Sequence, residues 1–309
     1  MSILDFRLPI AITSFNRPQY LQQCIKSLES QEDLENVEFI LVQDGDRNIR
    51  SHRKRARVKD ILQCIEIFEQ SSLPNKHMIL PKRRRIPYFE NLGVALNHQR
   101  AYDYCFKEHD YPAFVLSEDD LVYNPDWLRV TKVLIRQFMH DERVAVVQTS
   151  CVKNHAPSFE DRKTNYDVLL VGNPDWRGYA IFRRAWEKME PDFRKYLEFV
   201  QQFDYQKRNN KKIREWWITQ GKNEPRTSQD RAKEHAVLDN EMLILYTYAN
   251  RALYTGIHGV HCNPASFERN KYAKMKNERI PGDKKLDKFR EITKDEIKRY
   301  FLKVRENGF

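Results

Sequence analysis

Three consecutive carboxylates, Glu118-Asp119-Asp120, close the apolar run Phe114-Val115-Leu116-Ser117. Adjacent like charges repel one another unless a cation neutralises them. Oxygen-only donors of this kind suit hard divalent cations such as Mg²⁺ or Mn²⁺, which typically share their shell with substrate phosphates. A cation-bound diphosphate follows from this, with a nucleotide-sugar as its common cargo. The structural alternative is an acidic cap on the helix that Asn124-Pro125 starts. Polar groups close two further apolar runs: Thr13 and Arg17 follow Leu8–Ile12, and Asp44 and Asp46 follow Phe39–Val42. Neither G-x-G-x-x-G nor G-x-x-x-x-G-K-[ST] occurs, so no dinucleotide fingerprint or P-loop is indicated.

The elements that must position these groups alternate. Leu8–Ile12, Phe39–Val42, Ala113–Leu116 and Val144–Val147 read as strands. Leu21, Ile25 and Leu28 mark a helix begun by Pro18 and capped by Asn16, and a long helix is expected over Tyr88–Lys107. Crossovers of a dozen or more residues imply a parallel sheet flanked by helices, whose ligands gather outside the carboxyl ends of its strands. Farther along, Arg177–Phe182 reads as a strand, Arg184–Glu190 as a short helix stopped by Pro191, and Ala236–Asn250 as a helix apolar nearly all round. An amphipathic basic helix is expected over Thr293–Arg305, docked on the core or lying on a membrane.

Three segments carry a family likeness. Pro9–Arg17, Val37–Asp44 and Phe114 to Leu121, the last followed by Asn124-Pro125-Asp126, together resemble a GT-A glycosyltransferase. Within that class the chain is similar to the N-acetylglucosaminyltransferase I family, with its Glu-Asp-Asp-Leu signature. Arg177-Gly178-Tyr179-Ala180 through Trp186 to Pro191 resembles a later stretch of the same family. The likeness runs from about residue 8 to 268, with a break between about 199 and 235. It implies a Rossmann-like, mostly parallel sheet flanked by helices. The donor half is expected over 1–125, an acceptor-binding half over 126–270 with a basic insertion at about 199–235, and a basic helical tail over 271–309.

The resemblance also implies roles. Asp120 would hold the metal, Mn²⁺ or Mg²⁺, while Glu118 and Asp119 would face the ribose and the metal's waters. Asp44 would contact the uracil of a UDP-sugar, Arg17 the phosphates, and Thr13 the nucleotide-sugar. Asn97 or His98 would lie near the nucleotide, and His258 or His261 would complete the metal shell. The family inverts by single displacement, an aspartate taking the acceptor hydroxyl's proton. The nearest counterpart of its base segment is Leu238-Asp239-Asn240-Glu241-Met242; Asn240 cannot act as a base, so the role falls to Asp239 or Glu241. Asp239 is preferred, because burying a carboxylate in an otherwise apolar helix is costly.

Composition bounds the partners. The chain has 309 residues, 40% hydrophobic and 12% aromatic, with 9 glycines, which excludes a disordered or collagen-like protein. The formal charge of +10 is segregated. Segments 47–59, 82–85, 206–235 and 271–309 together carry +22, which leaves −12 on the rest. Such basic surface suits a polyanion. Two acceptors fit: an anionic lipid-linked or cell-surface glycan, and hydroxymethylated pyrimidine in viral DNA, with Trp216-Trp217 placed to stack on bases. A non-enzymatic basic nucleic-acid-binding protein is the alternative. The 5 cysteines lack paired or zinc-like spacing, and Cys24 and Cys105 fall at buried helical positions. No signal peptide or membrane-spanning run is read, so a cytoplasmic setting is expected.

Overall fold

The computed structural model describes residues 3–48, 53–85, 88–149, 157–172, 176–201, 205–258, 263–269 and 279–306. The strands are β1 (Leu8–Ser14), β2 (Val37–Gln43), β3 (Arg47–Asn48), β4 (Lys76–Ile79), β5 (Arg83–Arg85), β6 (Tyr88–Asn91), β7 (Ala113–Glu118), β8 (Leu121–Tyr123), β9 (Val144–Gln148), β10 (Leu169–Val171), β11 (Tyr179–Phe182), β12 (Leu243–Thr247) and β13 (Ala252–Tyr254). The helices are α1 (Pro18–Glu29), α2 (Val58–Gln70), α3 (Val94–Tyr102), α4 (Trp127–Phe138), α5 (Phe159–Thr164), α6 (Arg183–Val200), α7 (Asn210–Thr219), α8 (Gln229–Asp239), α9 (Pro264–Glu268) and α10 (Lys294–Glu306).

Eight strands form one sheet in the order β10-β12-β9-β11-β7-β1-β2-β4. Pairing is parallel from β4 through β2 and β1 to β7, and again between β9 and β12; β11 and β10 run antiparallel to their neighbours. The fold is therefore α/β, with a mostly parallel central sheet flanked by helices. Leu8–Ser14 and Val37–Gln43 are buried at every position, as strands covered on both faces must be. The carboxyl ends of β1, β2 and β7 lie side by side: Thr13 is level with Glu118 on one side and with Val42 on the other. Two small sheets flank this edge, β13-β8 and β3-β6-β5.

Several elements differ from the sequence expectation. The first helix begins at Pro18 as expected, but Arg17 occupies its N-cap and no side chain caps it. The helix expected over Tyr88–Lys107 is divided: Tyr88–Asn91 pairs with β3 and β5, and α3 starts only after Gly93, whose φ of 80° breaks the backbone run. α6 passes through Pro191 instead of stopping there. Its buried face, Phe193, Tyr196, Leu197 and Val200, outweighs the backbone hydrogen bond that proline cannot donate.

The expected Ala236–Asn250 helix ends at Asp239, and Leu243–Thr247 is a strand inserted between β10 and β9. Glu241, at a φ of 51°, makes the reversal. A short apolar run does not distinguish a buried strand from a buried helix; the free sheet edge beside β9 decided it. Trp216 and Trp217 lie on α7, and the structure corrects their expected exposure to bases. Trp217 is buried against His235, and Trp216 is half-buried against Phe199. Cys24, Cys64 and Cys105 are buried thiols. No helix among the described residues is long and apolar enough to cross a membrane.

Candidate active site

The acid triplet sits where β7 turns into β8. Asp119 donates its backbone N–H to the Thr13 carbonyl at 3.1 Å, which locks the triplet to the end of β1. On the other side, the backbone N–H and Oγ1 of Thr255 donate to the Asp120 carbonyl at 2.9 and 3.0 Å. Arg17 reaches across from the start of α1. Its Nη1 donates to Asp120 Oδ2 at 2.6 Å and its Nη2 to Asp119 Oδ1. The remaining oxygens, Asp119 Oδ2 and Asp120 Oδ1, are buried; the Phe15 backbone N–H serves the Asp119 carboxylate, and Asp120 Oδ1 accepts no hydrogen bond. Buried polar atoms are nearly always satisfied, so an orphaned oxygen on one of two consecutive buried carboxylates fits a hard cation. No cluster of three or more His, Cys, Asp or Glu side chains is poised around a metal among the described residues. The fit therefore rests on two protein carboxylates, with diphosphate oxygens and water to complete the shell.

Burial, and then Asp120, push the Glu118 carboxyl up to about 8. Burial also pushes Asp119 up to about 6 against the pull of Arg17. Arg177 lies within electrostatic reach of Glu118, with its guanidinium 4.0 Å above the Tyr254 ring. The loop after β13 covers the triplet closely. A Cβ on Gly256 would lie 2.3 Å from Asp120 Oδ2 and 2.6 Å from the Tyr254 hydroxyl. Gly256→Ala is accordingly expected to cost about 1–3 kcal/mol by overpacking. An unchanged denaturation midpoint would show that the loop yields freely.

The other expected residues meet different fates. Thr13 is buried, and its Oγ1 donates to the Ser117 carbonyl at 3.0 Å, tying β1 to β7. Asp44 is buried and accepts from the backbone N–H groups of Gly45, Leu92 and Gly93 and from Asn91 Nδ2, at 2.8–3.0 Å. Burial pushes it up to about 6 while those donors hold it down. Its carboxylate anchors the turn before α3, with both oxygens engaged there. Asn97 Nδ2 donates to the Val42 carbonyl at 3.0 Å. His98 is 1% exposed with neither ring nitrogen hydrogen-bonded; burial, and then Lys233, hold it well below its usual pKa. The His258 backbone N–H donates to the Tyr20 hydroxyl, which brings that loop beside Arg17. His261, Cys151 and Cys262 fall outside the described residues.

Asp239 and Glu241 are not brought to the strand ends. Both are exposed; Asp239 pairs with Lys222, at the turn that feeds the amino end of β12. The opposite end of the same helix carries another carboxylate. Asp230, in the first turn of α8, has a side chain 46% exposed, and its Oδ1 lies 3.2 Å from the Nζ of fully buried Lys233. That ammonium donates to the Tyr179 hydroxyl at 3.1 Å and lies 4.6 Å from the centre of the Trp176 ring. Asp230 is within electrostatic reach of Glu118. The arrangement pairs an accessible carboxylate with a buried cation. The signal for it was Ser228, whose side chain accepts from the Arg231 N–H and starts α8 inside the stretch that looked like a basic insertion.

None of the curated proteins compared with the chain matches it. Among solved structures, it is similar to the mannosyltransferase PcManGT from Pyrobaculum calidifontis in complex with GDP-Man and Mn²⁺. That likeness has 13% identity and a TM-score of 0.40, over 61% of this chain and 48% of that one. A second is S. aureus TarS, with 11% identity and a TM-score of 0.44, over 78% of this chain and 36% of that one. The chain thus spans about half and about a third of those proteins. Residues 10–80, which hold β1, α1, β2, α2 and β4 and with them Arg17 and Asp44, match the family model Glycosyl transferase family 2, and this match supports a glycosyltransferase.

Proposed function

We propose that the protein is an inverting glycosyltransferase that moves a sugar from a nucleotide-sugar, a UDP-sugar by the resemblance, to an acceptor hydroxyl. The observation that carries this reading is the pair of buried carboxylates Asp119 and Asp120 at the carboxyl edge of the sheet, with Asp120 Oδ1 left without a partner. The finer likeness of Glu118-Asp119-Asp120-Leu121 to the N-acetylglucosaminyltransferase I family supports it. Asp119 and Asp120 would hold a divalent cation, Mn²⁺ or Mg²⁺, which when bound neutralises the donor's diphosphate. Arg17 and Arg177 face the same edge and suit the phosphates. Asp230 replaces Asp239 and Glu241 as the proposed base: it accepts the acceptor hydroxyl's proton as that oxygen attacks the anomeric carbon. The bond from that carbon to the diphosphate breaks, and the nucleoside diphosphate leaves with its electron pair. Lys233, held by Tyr179, orients the Asp230 carboxylate.

Charge supports a polyanionic acceptor. β3 opens the basic segment 47–59 and β5 lies within 82–85; through β6 the two segments form one small sheet. Asp46 fixes that sheet beside the end of β2, accepting the Phe89 N–H at 2.6 Å. Both segments are arginine-rich in sequence, and guanidinium groups suit phosphates bidentately. The test incubates the protein with labelled nucleotide-sugars and Mn²⁺, offering hydroxymethylated DNA or an anionic lipid extract. Release of nucleoside diphosphate that chelation stops, with label in one acceptor, is the expected result and identifies that acceptor. Release unaffected by chelation, or none with any donor, would overturn the reading.

A further inference from the structure

We infer that Arg17 is a built-in competitor for the cation position: it neutralises Asp119 and Asp120, and a divalent ion reaching those carboxylates must displace it. The inference rests on the nucleotide-sugar reading and adds an order of events to it. Arg17 spans the two acids with a fork, one nitrogen to each, and leaves Asp120 Oδ1 buried without a partner. A purely structural ion pair would be expected to satisfy its buried acceptors. A divalent ion on the same two carboxylates would stand within a few ångströms of the guanidinium, and at such separations like charges repel strongly where water is scarce.

Arg17 is open to displacement. Its side chain is 25% exposed, it stands at the N-cap of α1 ahead of Pro18, and its guanidinium already lies over the Tyr20 ring at 5.4 Å, a contact that needs neither acid. Once displaced, the guanidinium is free to meet the diphosphate that arrives with the ion. Cation alone therefore binds weakly, and cation with diphosphate binds well, because the diphosphate takes up the charge that the ion expels. Occupation by metal is thereby coupled to the arrival of a donor.

The test reads Mn²⁺ binding alone, with no nucleotide, from the loss of the free-ion EPR signal. Arg17→Gln removes the competitor and is expected to bind Mn²⁺ at least about tenfold more tightly than the unaltered protein. The double variant Arg17→Gln/Asp120→Asn is expected to lose that gain. Arg17→Lys keeps a charge but loses the fork, and is expected to fall between the two; it also serves if Arg17→Gln does not fold. Equal Mn²⁺ affinity with and without Arg17, abolished in both by Asp120→Asn, would overturn the competitor role and leave the donor site standing. Mn²⁺ binding that is indifferent to Asp120 in every protein would overturn both.

Discussion

Asp230→Asn is expected to lower sugar transfer by about 10²–10⁴-fold, the range that removal of a general base produces, while donor binding persists. The substitution keeps the size of the side chain and its place in the first turn of α8, but an amide does not take up the acceptor's proton. Lys233 is fully buried and pairs with this carboxylate, so the variant is also expected to lose stability, and transfer is measured well below its unfolding midpoint. Asp120→Ala is the informative contrast. It removes one of the two carboxylates proposed to hold the cation, so both donor binding and release of nucleoside diphosphate are expected to disappear. Single-turnover transfer and equilibrium binding of a nucleotide analogue, measured on both variants, separate the roles. Full transfer by Asp230→Asn would remove that residue from the mechanism. Reduced transfer by Asp239→Asn with Asp230→Asn unimpaired would return the role to the far end of the helix.

The second large effect lies away from the chemistry. Arg251 and Asp283 are both fully buried, with Nε and Nη2 of the arginine donating to the two carboxylate oxygens at 2.7 and 2.6 Å. The same guanidinium donates to the carbonyls of Ala249 and Tyr166, and Arg129 donates to the backbone carbonyls of Asp283 and Leu286. The segment 281–286 is thereby clamped between α4 and the strand that leads to the Gly256 loop. Asp283→Ala leaves a buried guanidinium without its counter-charge, and such losses cost about 3–5 kcal/mol. A fall in Tm on the order of 5–15 °C is the corresponding thermal result. The double replacement Arg251→Met/Asp283→Leu should recover much of the loss, because an apolar pair carries no uncompensated charge. A loss below about 1 kcal/mol in Asp283→Ala would mean that the segment detaches and rehydrates its charges.

The central strands and the acid triplet were legible because their signals are local. β1, β2, β7 and β9 are continuous apolar runs ended by polar residues, and a strand covered on both faces admits little else. The triplet's place at a strand end needed only the boundary of β7. Leu243–Thr247 defeated the same reasoning, because its residues suit a buried helix or a buried strand equally and the choice depended on an open edge beside β9. Pro191 misled for a related reason: the apolar face that carries α6 past it gains its value only from distant partners.

The site divides along the same line. Sequence alone determined that this chain presents carboxylates on a parallel-sheet edge and keeps its basic charge in separate segments, since both facts belong to consecutive residues. Tertiary structure decided that Arg17 spans two of those acids, that Asp44 anchors a turn, and that Asp230 pairs with buried Lys233 while Asp239 pairs with Lys222. It also decided that two basic segments meet on one small sheet. Each of these joins residues far apart in the chain, and local propensity carries no information about such distances. They are set by which end of an element is docked where, which packing of the whole core fixes.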